Sequence, residues 1–466
     1  MNIESLFLKS LLTIENPFNS IEEIYFWLEK RNKEVNVTIE NIPFRKMEKW
    51  IFDKNTYNLL HETGKFFSID GLHVKKDSDF ITQWCQPIIN QPEVGYLGII
   101  TKEFDGVLYF LMQAKIEPGN VNCVQLSPTL QATKSNYTQT HAGKVPKYLE
   151  YFQKATHDQI LIDQLQSEQG ARFLRKRNRN IIIKIIDDIP VFEDYRWLTL
   201  GQIKKMIIRD NIVNMDSRTV ISSISFNNQS LIREQKSLKY SDFGHDLLLS
   251  SMITSGKNSM SNLMTWLCDL KSTCNLIVDH IPLKNVKDWI ITDDEIHHKH
   301  NKYFKIIGVN VNIANREVAN WCQPMVEPME KGVCVFLIKK IYGVYHFLVQ
   351  AKFECGNFDM YEFAPTIQCL ESELSNTSNE GYRFISEIVN AKKDNILFDT
   401  YQSEEGGRFN REQNRNMLIR LDDNFEEDQL PRNYSWLTLG QLNSFLKYNN
   451  FVNIQARSIL SALQYV

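Results

Sequence analysis

The chain is written twice. Trp84-Cys85-Gln86-Pro87 returns as Trp321-Cys322-Gln323-Pro324, a shift of 321 − 84 = 237 residues. Gln113-Ala114-Lys115 and Gly119-Asn120 recur at the same shift, as Gln350-Ala351-Lys352 and Gly356-Asn357. Ser167-Glu168-Gln169-Gly170 matches Ser403-Glu404-Glu405-Gly406 at 236, and the run from Trp197 to Gln202 matches Trp436 to Gln441 at 239. Colinear repetition of rare residues is not chance, and the period is far too long for a solenoid. One fold is therefore built twice, and every residue can be read against its twin.

Matches begin near Trp27 and Trp266 and end near Arg218 and Arg457. They delimit a first repeat over residues 20–224 and a second over 262–463, each large enough to bury its own core. Residues 225–261 have no twin. They read as a linker containing one helix-like stretch around Leu231 to Met252. The formal net charge is −3, so general nucleic-acid binding is not the main job. The N-terminus lacks the flanks of a signal peptide, and no apolar run has membrane-spanning length. Eight cysteines without paired spacing suit small buried residues in a reducing cytoplasm.

Tyr96 to Ile100 and Leu108 to Met112, with Asp105-Gly106 between them, form a hairpin signature. Its twin spans Val333 to Gln350, with Gly343 at the turn. Lys147 to Gln166 carries apolar residues at helical spacing and predicts a helix. Ile181 to Ile186 predicts a strand, and Thr199 caps a following helix. Strands and helices mix without regular alternation, so the class is α+β with mixed sheets.

Three clusters carry chemistry. The first is Gln402-Ser403-Glu404-Glu405-Gly406-Gly407-Arg408 with its twin Gln166 to Arg172. Glycine ends a helical stretch and admits a ligand to the backbone, while Arg172 and Arg408 offer forked donors to phosphate. A helix C-cap followed by a surface Arg has the same appearance. The second cluster is Asn178-Arg179-Asn180 and Asn414-Arg415-Asn416, a diphosphate clamp or a solvated basic turn. The third breaks the symmetry. Thr133-Lys134-Ser135-Asn136-Tyr137 aligns with Leu370-Glu371-Ser372-Glu373-Leu374, so the polar groups survive in the first copy alone. In the Ser-Glu-x-Gly cluster the second copy is the richer in carboxylates. Histidines do not recur at twin positions. His297, His298 and His300 face a segment holding only His61.

These doubled motifs resemble the NDP-hexose 2,3-dehydratases of deoxysugar biosynthesis, over nearly the whole chain. The resemblance implies two tandem Nudix-like domains related by duplication, usually in a homodimer. It implies thymidine-diphospho-4-keto-6-deoxyglucose (dTDP-4-keto-6-deoxyglucose) as substrate, with loss of the carbon-2 hydroxyl. A 3-ketoreductase or aminotransferase would consume the product. Asp163 and Glu168, or Asp399 with Glu404 and Glu405, are too few for the metal-binding helix of a Nudix hydrolase. That speaks against a nucleotide-sugar hydrolase, and a non-catalytic sugar-nucleotide binding protein is the other alternative.

The chemistry needs no cofactor, because the carbon-4 ketone is the electron sink. A base takes the carbon-3 proton, an acid protonates the leaving hydroxyl, and donors hold the enolate oxygen. Tyr137, Glu404, Glu405 and Lys134 are the expected reacting groups. Thr133, Ser135 and Asn136 join Gln402, Ser403, Gly406 and Gly407 as expected substrate contacts. Arg172, Arg179, Arg408, Asn414, Arg415 and Asn416 are expected at the diphosphate, and Trp50 and Trp289 at the thymine ring. The complementary loss between twins predicts one composite pocket, with Thr133 to Tyr137 facing Ser403 to Arg408. On that reading Glu404 belongs to the working pocket and Glu168 to its reciprocal.

Overall fold

The computed structural model describes residues 3–77, 81–134, 145–226, 241–313, 320–375, 383–426 and 428–465. Tyr137, Ser135 and Asn136 lie outside the described residues. Each repeat builds a seven-stranded mixed sheet. In the first, the order is Ile160–Ser167, Arg177–Ile185, Gly95–Phe104, Val107–Ile116 and Tyr195–Thr199. Short strands Val124–Ser127 and Leu130–Ala132 add to Val107–Ile116 and Gly95–Phe104. Only the pairing of Arg177–Ile185 with Gly95–Phe104 is parallel among the described pairings of this sheet. The second repeat copies the arrangement around Gly332–Ile341 and Val344–Phe353.

The expected hairpins form. Asp105 and Gly106 have φ of 49° and 75°, and Tyr342 and Gly343 have 54° and 78°. Two successive positive φ values match the twist of the flanking strands. Thr199 and Thr438 cap the helices Leu200–Ile207 and Leu439–Leu446 in full capping boxes with Gln202 and Gln441.

The sheets bury both faces, as alternation along their strands requires. In the first sheet Ile99, Leu108, Phe110 and Ile182 face one way, and Ile100, Tyr109, Leu111 and Ile181 the other. The second face packs within its own repeat. The first face joins a core shared with Phe336, Phe347 and Leu437 of the second repeat. The expectation that each repeat buries its own core is therefore corrected. The two small sheets go further and exchange strands. Val37–Ile42 of the first repeat pairs with Phe304–Ile313 of the second, and Asn275–Ile281 of the second pairs with Ser68–Asp77 of the first.

Two local expectations also change. The predicted helix over 147–166 shrinks to Leu149–Gln153, and Ile160–Ser167 is a strand. Gln159 turns back onto Thr156, β-branched Ile160 and Ile162 favour extended backbone, and pairing with Arg177–Ile185 outweighs the local spacing. The Ser-Glu-x-Gly motif thus follows a strand rather than a helix, which removes the comparison with the end of a Nudix helix. Residues 225–261, read as having no twin, hold one in space. Helix Asp242–Met252 stands to the second repeat as Ile3–Leu12 stands to the first. Ser10 Oγ links Leu108 O and the Leu200 amide, and Ser250 Oγ links Tyr345 O and the Leu439 amide. Leu231 to Tyr240 lie outside the described residues.

Candidate functional site: a cluster of acids shared between the repeats

The Gly-Asn and Ser-Glu-x-Gly motifs meet across the repeat boundary. The Gly119 amide donates to Gly406 O at 2.7 Å, and the Arg411 amide to Gly119 O at 2.7 Å. The mirror contacts run from Gly356 to Gly170 O and from Arg175 to Gly356 O, each at 2.7 Å. A Cβ on Gly119 would lie 1.7 Å from Phe409 O, and one on Gly356 1.9 Å from Phe173 O. Backbone against backbone is the reason glycine stands there. The space left by Gly406 is filled by Asn120 of the other repeat.

The Trp-Cys-Gln-Pro motifs hold the next turn of chain. Trp321 Nε1 donates to Gln323 Oε1 at 3.1 Å, and Gln323 Nε2 to Gly407 O at 2.7 Å. Trp84 and Gln86 do the same for Ala171 O, at 2.9 and 3.0 Å. These relays fix the residue before Arg408 and before Arg172. Each guanidinium then lies 4.1 Å from a ring of the opposite repeat, Arg408 over Phe67 and Arg172 over Phe304.

Two buried arginines bind the motifs from below. Arg218 donates to Ser403 O at 2.6 Å and Gln402 Oε1 at 3.1 Å. Arg457 donates to Ser167 O and, at 3.5 Å, to Gln166 Oε1. Gln402 in turn donates to Ile207 O, and Ser403 Oγ to Asn211 Oδ1. Gln402 and Ser403 are thus engaged in joining the repeats.

Around this seam the acids fall into two groups. In the first, Glu168 accepts from Asn178 Nδ2 at 2.7 Å. Glu405, brought from the other repeat, accepts the Gly407 amide at 3.0 Å. Glu117 receives Lys115 Nζ at 3.1 Å and Gln131 Nε2 at 2.6 Å. Asp216, on helix Met215–Ser222, is 2% exposed and its Oδ1 has no partner. These groups act on one another. Burial, then Glu117, Glu168 and Glu405, push Asp216 well above the carboxylate range. Burial lifts Glu405 to about 7, against the pull of Arg408. Burial also raises Glu168. Lys176 is pressed down to about 8 by burial despite Glu168 beside it. Raised carboxyls, with Glu405 about half protonated near pH 7, beside a lysine lowered to about 8 are groups able to exchange protons near neutral pH.

The second group holds the twins. Glu404 accepts from Gln169 Nε2 and Asn414 Nδ2, and burial with Glu412 raises it to about 8. Asp216 has Gln455 as its twin, Glu405 has Gln169 and Lys176 has Glu412. Three titratable groups of the first cluster, Asp216, Glu405 and Lys176, are thus not matched in kind in the second.

The expected partition is therefore corrected in part. Ser403 to Arg408 does cross to the first repeat, where Gln125 Nε2 donates to Ser403 Oγ at 2.7 Å. Glu405 and Arg408 belong there, but Glu404 points into the second group and Glu168 into the first. Glu404 and Glu405 both follow the end of strand Ile396–Ser403 and turn to different clusters. Thr133 and Lys134 follow strand Leu130–Ala132, which carries Gln131 to Glu117.

The other expected contacts have structural partners. Arg179 grips Asp163 at 2.6 and 2.8 Å, and Arg415 grips Asp399 at the same distances. Asn414 binds Glu404, and Asn416 donates to Ser458 Oγ at 2.9 Å. Trp50 Nε1 donates to Cys322 O at 2.7 Å and Trp289 Nε1 to Cys85 O at 3.0 Å, each across the repeat boundary. Their rings meet His61 and His298 edge-on. Those histidines are twins at 298 − 61 = 237, which corrects the statement that none recur. Asp216, Glu117, Lys115 and Lys176 were missed as candidates. The Asp-to-Gln and Lys-to-Glu breaks between twins were the available signal for Asp216 and Lys176.

A family model described as NDP-hexose 2,3-dehydratase matches residues 21–224 and 260–463. Three relatives carry the name dTDP-4-dehydro-6-deoxy-alpha-D-glucopyranose 2,3-dehydratase. The one from Saccharopolyspora spinosa is 43% identical over 460 residues, 98% of this chain and 94% of the relative. That from Amycolatopsis orientalis is 40% identical, covering 95% and 90%. That from Streptomyces violaceoruber is 38% identical, covering 94% and 96%.

Proposed function

The chain belongs to the NDP-hexose 2,3-dehydratase family, and from that premise we propose that it dehydrates dTDP-4-keto-6-deoxyglucose at the first group of acids. The reaction is a carbon–oxygen lyase step. The Glu168–Glu405 pair, sharing protons as a unit, takes the proton from carbon 3. The electrons pass to the carbon-4 ketone as an enolate, held by Lys176 and Lys115. As the enolate collapses, the carbon-2 hydroxyl leaves with a proton from Asp216. Water is lost, and the resulting enol becomes the 3,4-diketo-2,6-dideoxy sugar nucleotide. Tyr137 and Lys134 are further donors in this reading, and Arg408 meets the diphosphate.

The observation that carries the reading is the asymmetry between twins. Asp216, Glu405 and Lys176 face one cluster; at the twin positions stand Gln455, Gln169 and Glu412, of which Gln169 and Glu412 meet Glu404 in the other. The Nudix-like reading of each repeat and the homodimer rest on the family resemblance. Consumption of the product by a 3-ketoreductase or aminotransferase follows from its reactivity as a diketone. A cytoplasmic setting agrees with all eight cysteines being free. Among the described residues no helix is long and apolar enough to cross a membrane.

The test is turnover of the keto-sugar nucleotide, trapped by a reductase, after chelation and without added metal. Asp216→Asn and Glu405→Gln should each lower kcat by about 10²–10⁴, with KM near wild type. Glu404→Gln, in the other cluster, should change it little. Equal losses in all three variants would remove the assignment of a single working cluster. Activity that vanishes on chelation and returns with magnesium would remove the metal-free reading.

A further inference from the structure

The two Ser-Glu-x-Gly turns rest on different groups. Under Ser403 lies Gln125, donating to its Oγ at 2.7 Å. The twin of Gln125 is Glu362, whose carboxylate accepts from Ser167 Oγ at 2.7 Å. Glu362 is 1% exposed and its Oε1 has no partner. An amide suffices to support such a turn, as Gln125 demonstrates. A buried carboxyl costs more to place there than an amide.

Arg457 supplies the connection. It is 1% exposed, it donates to Ser167 O, and the carboxylates bearing on it are Glu362 and Glu168. One guanidinium thus serves an acid of each repeat. We infer that Glu362, through Ser167 and Arg457, is a positioning residue for Glu168: it holds the turn and takes a share of the charge that would otherwise stabilise the Glu168 anion. The inference rests on the proposed role of the Glu168–Glu405 pair as base.

The groups facing Glu168 are Asn178, Lys176, Arg457, Asp216 and Glu405. Those facing Glu362 are Ser167, Arg457, Glu354 and Lys271. Burial raises Glu362 to about 7, so its charge bears on Arg457 in the upper part of the profile; removing that charge leaves Arg457 to Glu168 there, and the pair loses its first proton at lower pH. The swap to glutamine fits the site. Asn450, the twin of the Asn211 that accepts from Ser403, has an unpartnered Oδ1.

The experiment is a pH profile of kcat on the full chain, with folding checked by circular dichroism and Tm. Glu362→Gln should keep KM and the plateau kcat, and move the acid limb down by about 0.5–1 pH unit. Glu362→Ala, which loses the hydrogen bond as well, should lower the plateau kcat with KM unchanged. A Glu362→Gln profile superposed on wild type, with Glu168→Gln inactive, overturns the inference while leaving the base in place. A fully active Glu168→Gln overturns the assignment of the base, and this inference with it. Because Glu362→Gln is nearly isosteric, the profile remains measurable even if Glu362→Ala fails to fold.

Discussion

Lys204 is a buried cation with little to hold it. Its Nζ donates to Ser461 O at 2.8 Å and lies 5.6 Å from the Tyr465 ring centre, and burial presses it down to about 7. The twin is Asn443, which carries no charge. A lysine whose folded value is depressed binds its proton less well in the native state than in the unfolded chain. The penalty is full below about pH 7 and fades as pH rises toward the ordinary lysine range. Lys204→Met should therefore raise Tm, most at pH 6 and least near pH 10. Thermal melts across that range would show the gap narrowing, and a constant gap would mean packing rather than charge. Trp50 and Trp289, read as thymine platforms, both bind a carbonyl of the opposite repeat.

Among the elements, the loop after each Ser-Glu-x-Gly turn is set by a strand of its own repeat. Gln323 lies on strand Asn320–Pro328 and ties down Gly407, the residue before Arg408. Gln86 on strand Ile81–Asn90 ties down Ala171, the residue before Arg172. If Arg408 serves the working cluster, the two amides are not equivalent. Gln323→Ala should raise KM by roughly tenfold, the equivalent of about 1.4 kcal/mol of lost positioning, with kcat affected less. Gln86→Ala should leave both nearly unchanged. Steady-state kinetics of the two variants decides between them, and equal effects would mean that both arginines serve substrate. The hairpins and helix caps were legible because their turn residues demand one local geometry. The stretch 160–167 was not, because its strand form depends on a partner at 177–185.

For the whole molecule, the repeats are inseparable. Each lends a strand to the other's small sheet, they share a core, and Arg218 and Arg457 are fully enclosed with partners on the far side. A buried guanidinium deprived of those partners costs several kcal/mol. Residues 1–226 and 241–466 expressed separately should each fail to give a cooperative melt. Expressed together they should associate, recover the melt and recover turnover. A half that folds and melts cooperatively alone would show that the shared core is dispensable. The exchange also explains how one turn feeds two clusters. Glu404 meets Gln169 and Asn414 in one cluster, and Glu405 enters the other beside Glu117 and Glu168.

The duplication, the mixed sheets, the hairpins, the family and the presence of an asymmetry between twins were all determined by the sequence itself. They depend on local turn chemistry, alternation and residue identity, which a linear reading contains. Which cluster each acid enters, the strand exchange and the twin role of Asp242–Met252 were decided only in three dimensions. Asp216 and Glu405 are 189 residues apart by 405 − 216 and belong to different repeats. Their mutual effect on protonation arises from burial in a common space, and burial is a property of the folded molecule rather than of either segment.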